Sequence, residues 1–339
     1  MVQSIGFNQL SPDERLDVLW SYVEERIPLY LVGPAGSGKS FIGLELMRRF
    51  SEKYLRGERI VWLREIDEAS VQGGYTTRAL YVSGSANITK LDLLGGRILL
   101  GGQYIRKPGL LNEMVKHGGI VFLDEITSLP PQFTVLLNEI IDMMYRGESH
   151  ENFYIFFAGN PYYYLGTNEL PDSLLERVVS IWFDYYNFKD ELKIAMEIVK
   201  KKLGDNLLFK ERGFQLLAEY IVSVLRMIRK SLNEAGENCP ISVRSMATAI
   251  IGTIILSRTM GYKESSGYSR ASIYRSLRGN LPDNLAEVWS DDAIAELFDF
   301  MEKYGLSWRH VNEAVRNLGI FQKVTDKRVL ENALAQIPL

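Results

Sequence analysis

Apolar positions in the first half of the chain fall into two alternating patterns. Ile27–Val32, Gly119–Leu123, Phe153–Ala158 and Val178–Phe183 are short, nearly unbroken apolar runs, the pattern of strands buried on both faces. A further strand is predicted through Arg59–Leu63. Between these runs the apolar period lengthens to that of a helix. Leu16, Leu19, Trp20 and Val23 share one face, as do Phe41, Leu44 and Met47. Phe133, Leu136, Leu137, Ile140, Ile141 and Met144 do the same between about Pro131 and Tyr145. Ser11-Pro12-Asp13-Glu14 supplies a capping serine, a proline suited to the first helical position and a glutamate that completes a capping box. Arg97–Arg106 has two apolar arms around Gly101-Gly102 and predicts a β-hairpin. Residues 68–90 are rich in glycine and threonine and give no clear periodicity.

From Asp190 onward only helical spacing is found, near 190–203, 211–235, 243–259, 291–304 and 308–318. Strands alternating with helices, followed by helices alone, predict a parallel sheet sandwiched by helices and then an all-helical domain. The expected division is 1–188 and 189–339, with an unassigned extension from about residue 260.

Composition narrows the classes. With 339 residues, 46% of them apolar and 24% charged, the chain suits two soluble domains. A net charge of −3 argues against unselective nucleic-acid binding by the whole molecule. The single cysteine, Cys239, forms no internal disulfide and fits a reducing compartment. The longest apolar stretch, Met246–Leu256, is too short to span a bilayer, and the N-terminus lacks the pattern of a signal peptide. A cytoplasmic location is expected.

Between the first strand and the second helix lies Gly33-Pro34-Ala35-Gly36-Ser37-Gly38-Lys39-Ser40, a complete G-x-x-x-x-G-K-S phosphate loop. Small residues let backbone N–H groups converge on an anion at the positive end of a helix. Lys39 is placed to neutralise phosphate charge, and the Ser40 hydroxyl to ligate Mg²⁺. The strand Ile120–Leu123 ends in Asp124 and Glu125. The first carboxylate suits Mg²⁺, held mostly through its water shell, and the second suits a general base for water. Ala158-Gly159-Asn160-Pro161 closes the next strand. Asn160 there is either a turn residue or one that positions water or touches a phosphate. Arg177 is either a solvated cation or an anion contact. Arg244 begins a helix, where the dipole disfavours a cation and an anionic partner would offset that.

Taken in order, these segments resemble the AAA+ ATPases of the MoxR/dynein-related branch over roughly residues 10–260. Gly33–Ser40 matches Walker A, Gly119–Ile126 Walker B and Phe157–Pro161 the sensor 1 strand end. Leu91-Asp92-Leu93-Leu94-Gly95, Pro108-Gly109-Leu110-Leu111 and Leu129-Pro130-Pro131-Gln132 with Leu136–Glu139 are similar to further family segments. The resemblance implies ATP hydrolysis with Mg²⁺, Asn160 as sensor 1, Arg177 as an arginine finger and Arg244 as sensor 2. It further implies that the helical domain is a lid, that the 97–106 hairpin is the insertion in helix 2, and that chains assemble into rings, commonly hexamers. The family's phenylalanine after the finger is Val178 here.

Three functions fit that frame: remodelling of a partner protein or complex, a nucleic-acid translocase or motor subunit with GTP as an alternative nucleotide, and a nucleotide-dependent switch with little turnover. Arg258–Asn280 interleaves Arg258, Lys263, Arg270, Arg275 and Arg278 with Tyr262, Tyr268 and Tyr274, which suits either a solvated loop or contact with a nucleic acid or an acidic protein. The acidic overall balance favours the first function, while an intact Glu125 and Arg177 disfavour the switch. Tyr104 and Ile105 suit either hairpin packing or contact with substrate in a ring pore. His117, His150 and His310 have no metal-ligand spacing.

Overall fold

Helix α1 (Pro12–Glu24) begins at the predicted capping box: Ser11 Oγ accepts from the Glu14 N–H, and Glu14 Oε2 accepts from the Ser11 N–H at 2.8 Å. It opens a computed structural model that describes residues 6–63, 77–84, 93, 95–100, 103–129, 132–161, 167–204, 207–237, 239–260 and 289–335. Backbone packing divides the chain into two units, Met1–Asp184 and Tyr185–Leu339. The division falls a few residues before the one expected from the sequence.

The first unit is built on β1 (Leu29–Val32), β2 (Val61–Trp62), β3 (Ala79–Ser83), β6 (Gly119–Asp124), β7 (Phe153–Gly159) and β8 (Val179–Trp182). All neighbours pair in parallel, in the order β2-β3-β6-β7-β1-β8. Every residue of β6 and β7 is buried, so both faces of the sheet's middle are covered, as their unbroken apolar runs require.

Alternation assigns the two faces. Val121, Leu123, Ile155 and Phe157 pack with α3 (Leu110–His117) and α4 (Gln132–Tyr145) through Leu111, Met114, Leu137 and Ile141. Ile120, Phe122, Tyr154, Phe156 and Ala158 pack with α1 and α2 (Lys39–Tyr54). On this second face the rings of Phe122 and Phe156 stack in parallel with centroids 4.5 Å apart, and Tyr81 meets Phe122 edge-on at 5.4 Å.

Several details differ from the sequence reading. The buried face of α2 runs through Ile42, Leu46, Met47 and Phe50, whereas Phe41 is 60% exposed. Phe41 lies in the first turn of α2, where the helix has just left the loop and that side has no sheet behind it. The hairpin comprises β4 (Gly95–Leu100) and β5 (Gln103–Pro108), two residues longer at each end than predicted, with Ile98 opposite Ile105 and Leu100 opposite Gln103. Its Gly101-Gly102 turn lies outside the described residues, as do most of 68–90, most of 91–95, Pro130-Pro131 and 261–288 with their tyrosines. Strand β3 and helix α3 had not been predicted.

The second unit is helical throughout its described residues: α6 (Phe188–Leu203), α7 (Arg212–Glu234), α8 (Val243–Thr259), α9 (Asp291–Lys303), α10 (Trp308–Arg316) and α11 (Lys327–Leu334). Helix α7 is its axis and is buried along most of its length, including Phe214, Leu217, Ile221, Leu225 and Ile228. Fully buried Glu191 is compensated by two guanidiniums, those of Arg226 and Arg229, with Arg229 donating to Oε1 at 2.8 Å and Oε2 at 3.1 Å. No described helix is long and apolar enough to cross a membrane.

Candidate active site

Three neighbouring strands deliver the site residues at their C-terminal ends, where open parallel sheets bind ligands. Strand β1 runs straight into the Gly33–Ser40 loop. Gly36 (φ 81°) and Gly38 (φ 95°) hold the left-handed backbone that reverses the chain into α2, a conformation costly for residues with a Cβ. Gly33 is fixed for a different reason: a Cβ there would lie 2.0 Å from the Phe183 carbonyl oxygen, just after β8. No side chain caps α2, so its first turn presents uncapped N–H groups to the loop.

Lys39, the first residue of α2, is buried. Its ammonium donates to the carbonyls of Gly33 at 2.7 Å and Pro34 at 2.8 Å, and to Asn160 Oδ1 at 3.2 Å. Asn160 follows β7 directly, so one hydrogen bond joins the loop to the neighbouring strand's end. Burial pushes the Lys39 pKa down to about 8, partly opposed by the charges of Asp124 and Glu125.

Asp124 ends β6 and is buried. Its Oδ2 accepts from the Tyr81 hydroxyl at 2.8 Å and its Oδ1 from the Glu125 N–H at 2.9 Å. Both contacts fix the carboxylate's orientation. Glu125 itself takes left-handed dihedrals, φ 55° and ψ 39°, a sparsely populated state for a glutamate that turns the chain sharply as it leaves the sheet. Gly84, just after β3, lies against that turn: a Cβ on it would meet the Glu125 carbonyl oxygen at 2.3 Å. Neither Tyr81 nor Gly84 had been singled out from the sequence. Their partners lie about forty residues away along the chain, and only the β3–β6 pairing brings them together.

The residues fit a triphosphate and Mg²⁺. Ser37 Oγ is buried in the loop without a hydrogen-bond partner, and Lys39 supplies a cation beside it. Hydroxyl and carboxylate oxygens, from Ser40 and Asp124, are the hard donors that Mg²⁺ takes alongside water and phosphate. Among the described residues no group of three or more His, Cys, Asp or Glu side chains could hold a metal by itself.

Arg177 makes its contacts outside this group, and Arg244 belongs to the second unit. Arg177 follows the short helix α5 (Asp172–Leu175) and binds Asp142 of α4 through Nε at 2.7 Å and a terminal nitrogen at 3.3 Å. That contact raises the guanidinium's pKa and lowers the carboxyl's. Arg244 is exposed in the first turn of α8, in the second unit, behind the capping serine Ser242. Tyr104, on the hairpin, is 76% exposed.

The family model described as AAA domain (dynein-related subfamily) matches residues 28–178, the interval that holds the loop, both β6 carboxylates, Asn160 and Arg177. Among characterised proteins, the chain is 24% identical to gas vesicle ATPase GvpN1 of Halobacterium salinarum, over 66% of this chain and 62% of that protein. It is 26% identical to protein NorQ of Paracoccus denitrificans, over 52% of this chain and 58% of that one. The chain thus spans about three fifths of the length of these relatives. Among solved structures, NtrX of Brucella abortus aligns with a TM-score of 0.42 at 15% identity, over 97% of this chain and 69% of that chain.

Proposed function

We propose, from the premise that residues 28–178 are an AAA domain of the dynein-related subfamily, that the chain hydrolyses ATP and uses the cycle to remodel a partner protein or complex. The observation that carries this is the convergence of strand ends: Lys39 bonded to Asn160 at 3.2 Å, with Asp124 and Glu125 closing the adjacent strand. Backbone N–H groups of Gly33–Ser40 receive the phosphates, and Lys39 neutralises their charge. Ser40 and Asp124 would hold Mg²⁺, which when bound offsets charge developing on the phosphoryl oxygens. Glu125 accepts the proton of the water whose oxygen bonds to the γ-phosphorus while the bond to the bridging oxygen breaks and ADP leaves, and Asn160 orients that water.

Arg177, in this proposal, serves the site of a neighbouring copy, and Arg244 of the helical unit acts as a phosphate sensor on a lid. Chains work as a homo-oligomeric ring, a hexamer in our reading, in the cytoplasm. The exposed Tyr104 supports a partner-gripping role for the hairpin. That the gas vesicle relatives are ATPases supports ATP as the nucleotide. Buried Cys239, its thiol pushed up to about 11 chiefly by desolvation, suits a reducing compartment.

Phosphate release and nucleotide binding test the assignment together. Glu125→Gln should bind ATP while turnover drops by about 10²–10⁴, the usual worth of a general base. Lys39→Ala should lose ATP binding. Normal ATP affinity in Lys39→Ala, or wild-type turnover in Glu125→Gln, would contradict the proposed roles.

A further inference from the structure

One face of α4 grips the segment that carries Arg177. Asn138 Nδ2 donates to Ser173 Oγ at 3.0 Å, Asp142 takes the Arg177 guanidinium, and the Tyr145 hydroxyl donates to the Arg177 carbonyl at 3.1 Å. The spacing i, i+4, i+7 places all three on one stripe of the helix. Helix α4 is also the first helix after Glu125, reached through a short 3-10 turn, Ile126–Ser128.

The guanidinium geometry is specific. Asp142 occupies the side-on edge, with Nε to Oδ1 and a terminal nitrogen to Oδ2, and the other terminal nitrogen donates to the Ser173 carbonyl at 2.5 Å. A guanidinium has five N–H donors, and these contacts use three. One hydrogen on each terminal nitrogen is left, and these donors suit phosphate oxygens. The side chain is 31% exposed. Other charges near the pair are Arg146, which acts on Asp142, and Glu176, which acts on Arg177.

We propose that Asp142 is the positioning residue of the arginine finger: it holds Arg177 side-on, in its own protomer, so that its remaining terminal N–H donors are presented ready-made to the nucleotide of the next protomer. This rests on the assignment of Arg177 as a finger acting in trans. A free arginine loses considerable rotamer freedom on docking, and a carboxylate clamp removes most of that loss in advance. The clamp therefore acts on the transition state served by the neighbour and leaves nucleotide affinity in its own site alone.

The test compares Asp142→Ala, Asp142→Asn, Arg177→Ala and the double variant, at protein concentrations where turnover per chain no longer rises. Asp142→Ala should lower kcat about tenfold with KM for ATP unchanged, and Asp142→Asn, which keeps one acceptor, should lose less. The double variant should be no slower than Arg177→Ala alone. Mixing Asp142→Ala with Lys39→Ala should restore turnover, because the Lys39→Ala chain brings a correctly held finger to the Asp142→Ala chain's intact site. A merely structural defect in α4 would damage that site too and would not be rescued. Undiminished kcat in Asp142→Ala, or no rescue in mixed assemblies, overturns the proposal while the finger assignment stands if Arg177→Ala is inactive. Full turnover in Arg177→Ala overturns the finger assignment itself, and the Asp142 role with it.

Discussion

At the scale of single residues, Lys39 is the most informative side chain. It is buried, held by two loop carbonyls and Asn160, and its pKa is pushed down to about 8 from an ordinary 10.5. Only the ammonium form attracts phosphate, and a bound polyphosphate raises the pKa again, so above pH 8 binding must take up a proton. In the non-hydrolysing Glu125→Gln chain, ATP affinity should therefore fall by about fivefold from pH 8 to pH 9. The sign for folding is opposite. A lysine whose folded pKa lies below its unfolded one contributes more stability as pH rises from about 8 toward 10.5. Weakened binding in that window together with a raised unfolding midpoint would match this account. Affinity that stays level from pH 8 to pH 9 would show that Lys39 is not the group that meets the phosphates. The loop glycines were legible in the sequence because the turn demands them. Tyr81 was not, since nothing local marks a tyrosine whose hydroxyl will meet a carboxylate 43 positions on.

At the scale of elements, α2 and β6 are packed so closely that Gly43 touches the sheet with its backbone. A Cβ on Gly43 would lie 2.3 Å from the Phe122 ring. That ring cannot swing aside, being stacked on Phe156 and met edge-on by Tyr81. Alanine gains about 1 kcal/mol in helix propensity over glycine, whereas overpacking of a filled core costs about 1–3 kcal/mol. Gly43→Ala should be destabilising on balance, seen as a lower denaturant midpoint with an unchanged slope. A raised midpoint would mean that the α2–β6 contact is looser than described. The central strands were readable because a strand buried on both faces needs an unbroken apolar run, as in Ile120–Leu123 and Phe153–Ala158. Strand β3, Ala79–Ser83, has such a run too, but it adjoins a glycine- and threonine-rich stretch that hides its start. Helices α3 and α11 are only eight residues each, too short for a helical period to stand out. In α2 the expected stripe holds at Met47, which is buried, and at Leu44, which packs against the core, and fails at Phe41, which follows the loop with no sheet behind it.

At the scale of the whole molecule, the proposed chemistry is divided between copies. The loop, Asp124, Glu125 and Asn160 gather at one set of strand ends, whereas the Arg177 guanidinium is clamped to Asp142 on α4 and donates as well to the Ser173 carbonyl. A chain so arranged would bind nucleotide by itself and would need a neighbour to split it, which ties turnover to assembly. An arginine finger is worth about 10³–10⁵ in rate in the nucleotidases that use one, so the proposed dependence should be steep. The most direct measurement is phosphate release from an equimolar mixture of Lys39→Ala and Arg177→Ala chains, each inactive alone. The account predicts that the mixture regains a substantial fraction of wild-type turnover, since an intact loop on one chain then meets an intact guanidinium on the other. A mixture that forms joint assemblies and still releases no phosphate would contradict it.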